Sequence, residues 1–240
     1  MSKDNDKNLT IEGHLVELRK RVMIAFAALI VATILGYNFS ERIATDIVSR
    51  APDMEFIYIA PSELMLSYIR IALFCGAVLS APIIISQIWL FISPGLTKKE
   101  SRQVKVSFFL GGGFFILGVL FAYEMVLPVL FRFFAEFQTE DIKATISFGN
   151  YLNFVIRIVL SFGLVFELPI IMFVLSRFGL ISTEFFVRNR KYMILVIFVV
   201  AAVLTPPDVV SQTMLALPML VLYEIGILLS KIGRKKRVDE

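Results

Sequence analysis

The stretch YMILVIFVVAAVL-TPPD-VVSQTMLALPMLVLYEIGILL, residues 192–229, carries only Asp208 and Glu224 as charged side chains. A bilayer core of about 30 Å needs about 20 apolar residues in helical form, so Val209–Leu229 reads as a crossing helix. Tyr192–Leu204 reaches only about 20 Å at 1.5 Å per residue. It must be cut short at its outer end or meet a thinned bilayer. Between the two runs, Pro206 and Pro207 stop the incoming helix and Asp208 can cap the next. Pro218 then weakens the second helix midway. A hairpin of this kind leaves no room for a domain between its arms.

Working outward, four further runs qualify as spans: Val22–Phe39, Ile71–Ser93, Val106–Tyr123 and Tyr151–Leu175. No water is available at that depth, so all six segments must close their backbone hydrogen bonds internally as helices. The expected fold class is all-α. It is a polytopic membrane protein of six transmembrane helices, a concave bundle with a short fifth–sixth hairpin, forming a single integral membrane domain over residues 1–240. Composition agrees, with 58% apolar and 18% charged residues, against about 45–50% and about 25% in soluble domains. That excludes a soluble enzyme, a disordered chain and a disulfide scaffold, the last because Cys75 is the single cysteine. A lone His14 excludes a multi-His metal site. The two long outer segments, Ser40–Arg70 and Glu124–Asn150, contain apolar clusters such as Phe56-Ile57-Tyr58-Ile59. They are expected to form short helical caps.

The pI of 9.2 could point to nucleic acid, but the placement of charge gives another reading. The N-terminal segment, the second–third loop, the fourth–fifth loop and the C-terminal tail together hold 18 of the 24 Lys and Arg residues. The positive-inside rule then puts both termini in the cytoplasm. The run after Arg21 is too long for a signal-peptide core and no A-x-A site follows it, so a retained first helix is expected.

Several residues do not belong in lipid. Glu167 stands well inside the fourth span, followed by Pro169, which removes a backbone donor and should kink the helix. An intramembrane carboxylate is costly unless protonated, paired or facing water, which makes Glu167 a candidate polar site. Gln87, in a second span that also contains Pro82, can either bond a neighbouring helix or take part in function. Trp89 reads as an interfacial anchor. Ser107, Gly111, Gly118 and Ala122 share one helix face and should allow close packing. Gln212 follows Asp208 by one turn near the hairpin tip, and Glu224 can reach the cytoplasmic interface from the sixth span. Glu17 and Glu100 are acids set among basic residues, a pattern that surface salt bridging alone would also produce.

Taken together, these stretches resemble the TatC family, the core subunit of the twin-arginine protein translocase. The matching pieces are His14-Leu15-Val16-Glu17-Leu18-Arg19, Ser80-Ala81-Pro82, Gln87-Ile88-Trp89 and Pro94-Gly95-Leu96. Phe166-Glu167-Leu168-Pro169, Thr205-Pro206-Pro207-Asp208-Val209-Val210-Ser211-Gln212, Ala216-Leu217-Pro218 and Tyr223-Glu224 complete the set. The resemblance implies a receptor in the cytoplasmic (inner) membrane that is not an enzyme and carries no cofactor or metal. It implies export of folded proteins bearing Arg-Arg signal peptides, with TatA-like and TatB-like single-span partners and the proton-motive force. By similarity, Glu17 and Glu100 would bind the signal peptide. Glu167 with Gln87 would form the intramembrane polar site, and Thr205 with Gln212 the partner-subunit contact. Pro82, Pro169, Pro206, Pro207, Asp208 and Pro218 would shape the hairpin and kinks.

Two other classes compete. A solute transporter with Glu167 and Gln87 lining its path would call for paired broken helices in both halves, and no repeat relates the halves. An intramembrane enzyme would need a nucleophile–base pair or two acids, which one His, one Cys and one deep carboxylate cannot assemble.

Overall fold

The computed structural model describes residues 11–51, 54–92, 98–136, 145–205 and 208–238. In chain order the helices are α1 (Ile11–Tyr37), α2 (Ser40–Ser49), α3 (Pro61–Ile92), α4 (Lys98–Phe121) and α5 (Leu127–Ala135). They continue with α6 (Phe148–Phe166), α7 (Leu168–Arg177), α8 (Thr183–Arg188), α9 (Arg190–Leu204) and α10 (Val209–Val238). Two short strands, β1 (Glu55–Ile57) and β2 (Thr145–Ser147), complete the set.

Four segments are long and apolar enough to cross a membrane: Pro61–Phe91, Lys105–Ala135, Phe148–Arg177 and Val209–Ile232. A fifth is added if α1 and α2, bent by 67° at their junction, count as one. The α9 helix has 15 residues, about 22 Å, so it is short as its sequence indicates. Pro82 and Pro218 lie inside α3 and α10 without ending either helix.

The chain divides into two compact units. In the first, residues 1–41 with 68–112, α1 packs on α3 through small residues. A Cβ on Gly36 would lie 3.1 Å from the Ala72 carbonyl, and Gly76 sits directly against Thr33. The anchor reading of Trp89 needs correction: its side chain is only 7% exposed and its ring lies 6.3 Å from that of Phe108. The ring fills a helix contact, which buries more apolar surface than an interfacial position would.

In the second unit, residues 42–67 with 113–240, the two long connections are tied together. The helical expectation holds for α2 and α5. It fails for Phe56 and Ile57, which lie in β1 and pair in parallel with Ile146 and Ser147 of β2. Glu63 locks this pairing. Its carboxylate accepts the amide N–H groups of Ile59 and Gly149, each at 2.8 Å, and the Ser147 hydroxyl. Nearby, Arg50 makes a two-pronged bond to Glu124 at 2.6 and 2.9 Å and lies over the Tyr123 ring.

Between α4 and α5 the chain widens into a π-turn, Ala122–Val126. The small-residue face is borne out, since Ser107, Gly111, Gly118 and Ala122 are all buried. A Cβ on Gly118 would come within 2.5 Å of the Phe162 carbonyl oxygen, so α4 and α6 approach too closely for any larger residue. Further along, the Ser176 hydroxyl meets Thr183 Oγ1 at 3.0 Å and donates to the Ser230 carbonyl at 3.2 Å. Tyr223 donates to the Phe186 carbonyl at 2.7 Å. These buried polar groups are satisfied across α7, α8 and α10, as apolar surroundings require.

Candidate functional site

The basic N-terminal turn does not end before the membrane span. It continues as the first turns of α1, which places Glu17 and Arg21 one turn apart on one helix face. Arg21 Nη2 donates to Glu17 Oε1 at 3.2 Å, while Nη1 donates to Gln87 Oε1 of α3 at 3.4 Å. Both charged side chains are largely covered, at 23% and 22% exposure for Arg21 and Glu17. His14, three residues before Glu17, stacks its ring on Phe91 at 4.4 Å and so docks the start of α1 on the end of α3. The result is a carboxylate held at a helix–helix seam with a guanidinium on it. Glu100 falls in the first turn of α4, and its side chain lies outside the described residues.

Gln87 therefore bonds the guanidinium that reaches Glu17, whereas Glu167 belongs to the other unit. Glu167 occupies the single residue between α6 and α7. Pro169 sits in the first turn of α7, and the regular helix breaks at Glu167, as the sequence predicts. The backbone stays near helical there (φ −72°, ψ −21°), and the Ile171 amide still bonds the Glu167 carbonyl at 2.9 Å. The side chain is half-buried. Among the described residues its carboxylate makes no ion pair or hydrogen bond. Its neighbours in sequence, Leu164, Val165 and Leu168, face Met193, Val196 and Val200 of α9 across an apolar cavity of about 210 Å³. An acid without a partner beside an apolar groove can engage a helix that brings its own polar group.

The α9–α10 hairpin is held by side chains bonded back to α9. Thr205, 7% exposed, donates from its hydroxyl to the Ala201 carbonyl at 2.9 Å. Gln212 donates from Nε2 to the Phe198 carbonyl at 3.0 Å. Asp208 caps α10 by accepting the Ser211 amide at 2.7 Å, as expected from its position. Its other oxygen, Oδ2, and the Ser211 hydroxyl are buried without a hydrogen-bond partner among the described residues. Pro206 and Pro207 lie outside the described residues. Glu224 pairs with Arg190 at 2.7 Å, an exposed ion pair linking α10 to the start of α9. Among the described residues no group of three or more His, Cys, Asp or Glu side chains could hold a metal ion.

One contributor, Arg21, lies outside the residues that the motifs single out. Arg21 carries a readable signal in its four-residue spacing from Glu17, although its bond to Gln87 spans 66 positions.

The family model described as Sec-independent protein translocase protein (TatC) matches residues 13–218. A relative of that name from Desulforapulum autotrophicum is 39% identical over 246 residues, covering 100% of this chain and 91% of the relative. Another, from Aquifex aeolicus, is 36% identical and covers 96% of this chain and 98% of its own. A crystal structure titled twin arginine translocase receptor TatC superposes with a TM-score of 0.79 at 34% identity, covering 92% of this chain and 99% of that one. These proteins are transport components, not enzymes, and their shared apolar helices make this a multi-pass membrane protein. The chain belongs to the TatC family of Sec-independent protein translocase proteins.

Proposed function

We propose that this chain is the signal-peptide receptor and core subunit of a twin-arginine translocase. It lies in the cytoplasmic membrane with six spans and both termini inside, where 18 of its 24 basic residues would stand. It binds Arg-Arg signal peptides at that face and assembles with TatA-like and TatB-like single-span subunits. It exports folded proteins at the expense of the proton-motive force.

The observation that carries the reading is Glu17, whose carboxylate already accepts a guanidinium at a helix seam within a basic surround. Carboxylates match the planar guanidinium fork, which a lysine ammonium cannot copy. The surrounding basic residues repel other cationic segments, so two acids in a positive rim select for the ligand that can bond them both. Glu100 supplies the second acid. Glu167, without a partner among the described residues at its helix break, engages a helix inserted beside α9, and Thr205 with Gln212 mark the partner-facing edge of the hairpin. The solute-transporter reading gains no specific observation.

The test is export in cells whose only TatC-family receptor is this chain. A folded reporter with an Arg-Arg signal should cross the membrane, and the same reporter with a Lys-Lys signal should stay inside. Equal export of the two overturns the reading.

A further inference from the structure

Two of the guanidinium–carboxylate pairs among the described residues are built differently. Arg50 presents a fork to Glu124, with two bonds of 2.6 and 2.9 Å from two nitrogens to two oxygens. Arg21 reaches Glu17 through one bond of 3.2 Å and spends its other terminal nitrogen on the neutral Gln87 amide at 3.4 Å. Its Nε is buried with no partner among the described residues. A guanidinium carries five donors in a rigid fork and gains most from bidentate pairing. Arg21 is therefore a poorly satisfied ligand resting on a good acceptor, where a better-aligned guanidinium could replace it.

We propose that Arg21 is a built-in placeholder, an internal guanidinium that occupies Glu17 at rest and must be displaced by the arginine of an incoming peptide. This rests on the receptor reading above and adds a resident competitor to its site. At rest the placeholder keeps a seam carboxylate paired, so the site is not an unpaired charge while empty. During binding it imposes a threshold. The apparent affinity is the intrinsic affinity scaled by the fraction of chains in which Glu17 is free. A ligand with a full fork can meet that threshold, whereas an ammonium, a compact point charge, gains less on arrival. Gln87 has a part in the exchange as the neutral acceptor that receives Arg21 when Glu17 is taken.

The experiment measures peptide affinity for the detergent-purified full chain in a double-mutant cycle. Arg21→Gln should bind an Arg-Arg signal peptide about fivefold more tightly, near the ceiling for an ion pair of modest strength. It should tighten the Lys-Lys version by the same factor, because the same occupied fraction is removed for both. Lys20→Gln removes an equal charge one residue away and should change affinity less than twofold. In the Glu17→Gln background, Arg21→Gln should have no further effect. Arg21→Met, which keeps the apolar stem, repeats the test if the Gln variant does not elute as a single folded species.

Unchanged or weaker binding in both Arg21 variants would show that Arg21 positions Glu17, and would overturn the proposal. So would an equal gain in the Glu17→Gln background, since the effect would then not pass through that carboxylate. The receptor reading fails separately: in that case the unaltered chain does not prefer Arg-Arg to Lys-Lys.

Discussion

Glu100→Gln should lose crosslinking to an Arg-Arg signal peptide while membrane insertion and purified yield stay unchanged. Glutamine is nearly isosteric with glutamate and keeps one acceptor oxygen, so the change removes charge with little change in shape. A hydrogen bond to a charged partner contributes about 2 kcal/mol, and its loss is roughly thirtyfold in affinity. The fork cannot be recovered, because the new amide NH₂ meets the guanidinium donor to donor. At peptide concentrations near the unaltered dissociation constant, that loss takes crosslinking below detection. Glu100 stands among Lys98, Lys99 and Arg102, so the variant also leaves the rim more positive and more repellent to a cationic peptide. Unchanged crosslinking would remove Glu100 from the site.

Glu167→Ala should abolish export without lowering the melting temperature in detergent. Removing a buried, paired carboxylate usually destabilises, because its partner is left behind. Glu167 has no such partner among the described residues, and it sits where α6 has already given way to α7. An acid in a membrane helix costs several kcal/mol unless it is protonated, paired or wet, so alanine should leave the fold as stable or more so. What is lost is the polar point beside the apolar cavity between Leu164, Val165 and Leu168 and the facing α9 residues. Export should fall at least tenfold in the cell assay, with the protein still present in the membrane. A collapse of thermal stability with proportionate loss of export would instead make Glu167 a structural residue.

The parts of this protein that are legible in its sequence are those set by local composition. Long apolar runs identify α3, α4, α6 and α10, because the length of a hydrophobic segment can be read without knowing its neighbours. The break at Glu167 follows from Pro169, and the Asp208 cap from its place before α10. The pairing of β1 with β2 is not legible. Three residues near Phe56 meet three near Ile146; Phe56-Ile57-Tyr58-Ile59 is rich in strand-favouring residues, but local composition does not name a partner run so distant in sequence. The π-turn at Ala122–Val126 is hidden for a similar reason, since its sequence, Ala-Tyr-Glu-Met-Val, suits an ordinary helix. At the site, Glu17 is visible as an acid among bases. Its guanidinium partner is visible only as a spacing, and the sharing with Gln87 depends on how α1 and α3 meet. Trp89 is misread because a Trp near a span end looks the same whether it faces lipid headgroups or a helix, and Phe108 decides between them.

The central claim is selection of an arginine pair, and equilibrium binding of a fluorescent signal peptide to the purified chain tests it most directly. The measurement compares the Arg-Arg peptide with its Lys-Lys version at equal length and equal charge, at physiological salt. Losing two fork-matched contacts should weaken the Lys-Lys peptide by at least tenfold. Equal affinities would mean that the acids respond to charge alone, and would contradict the account.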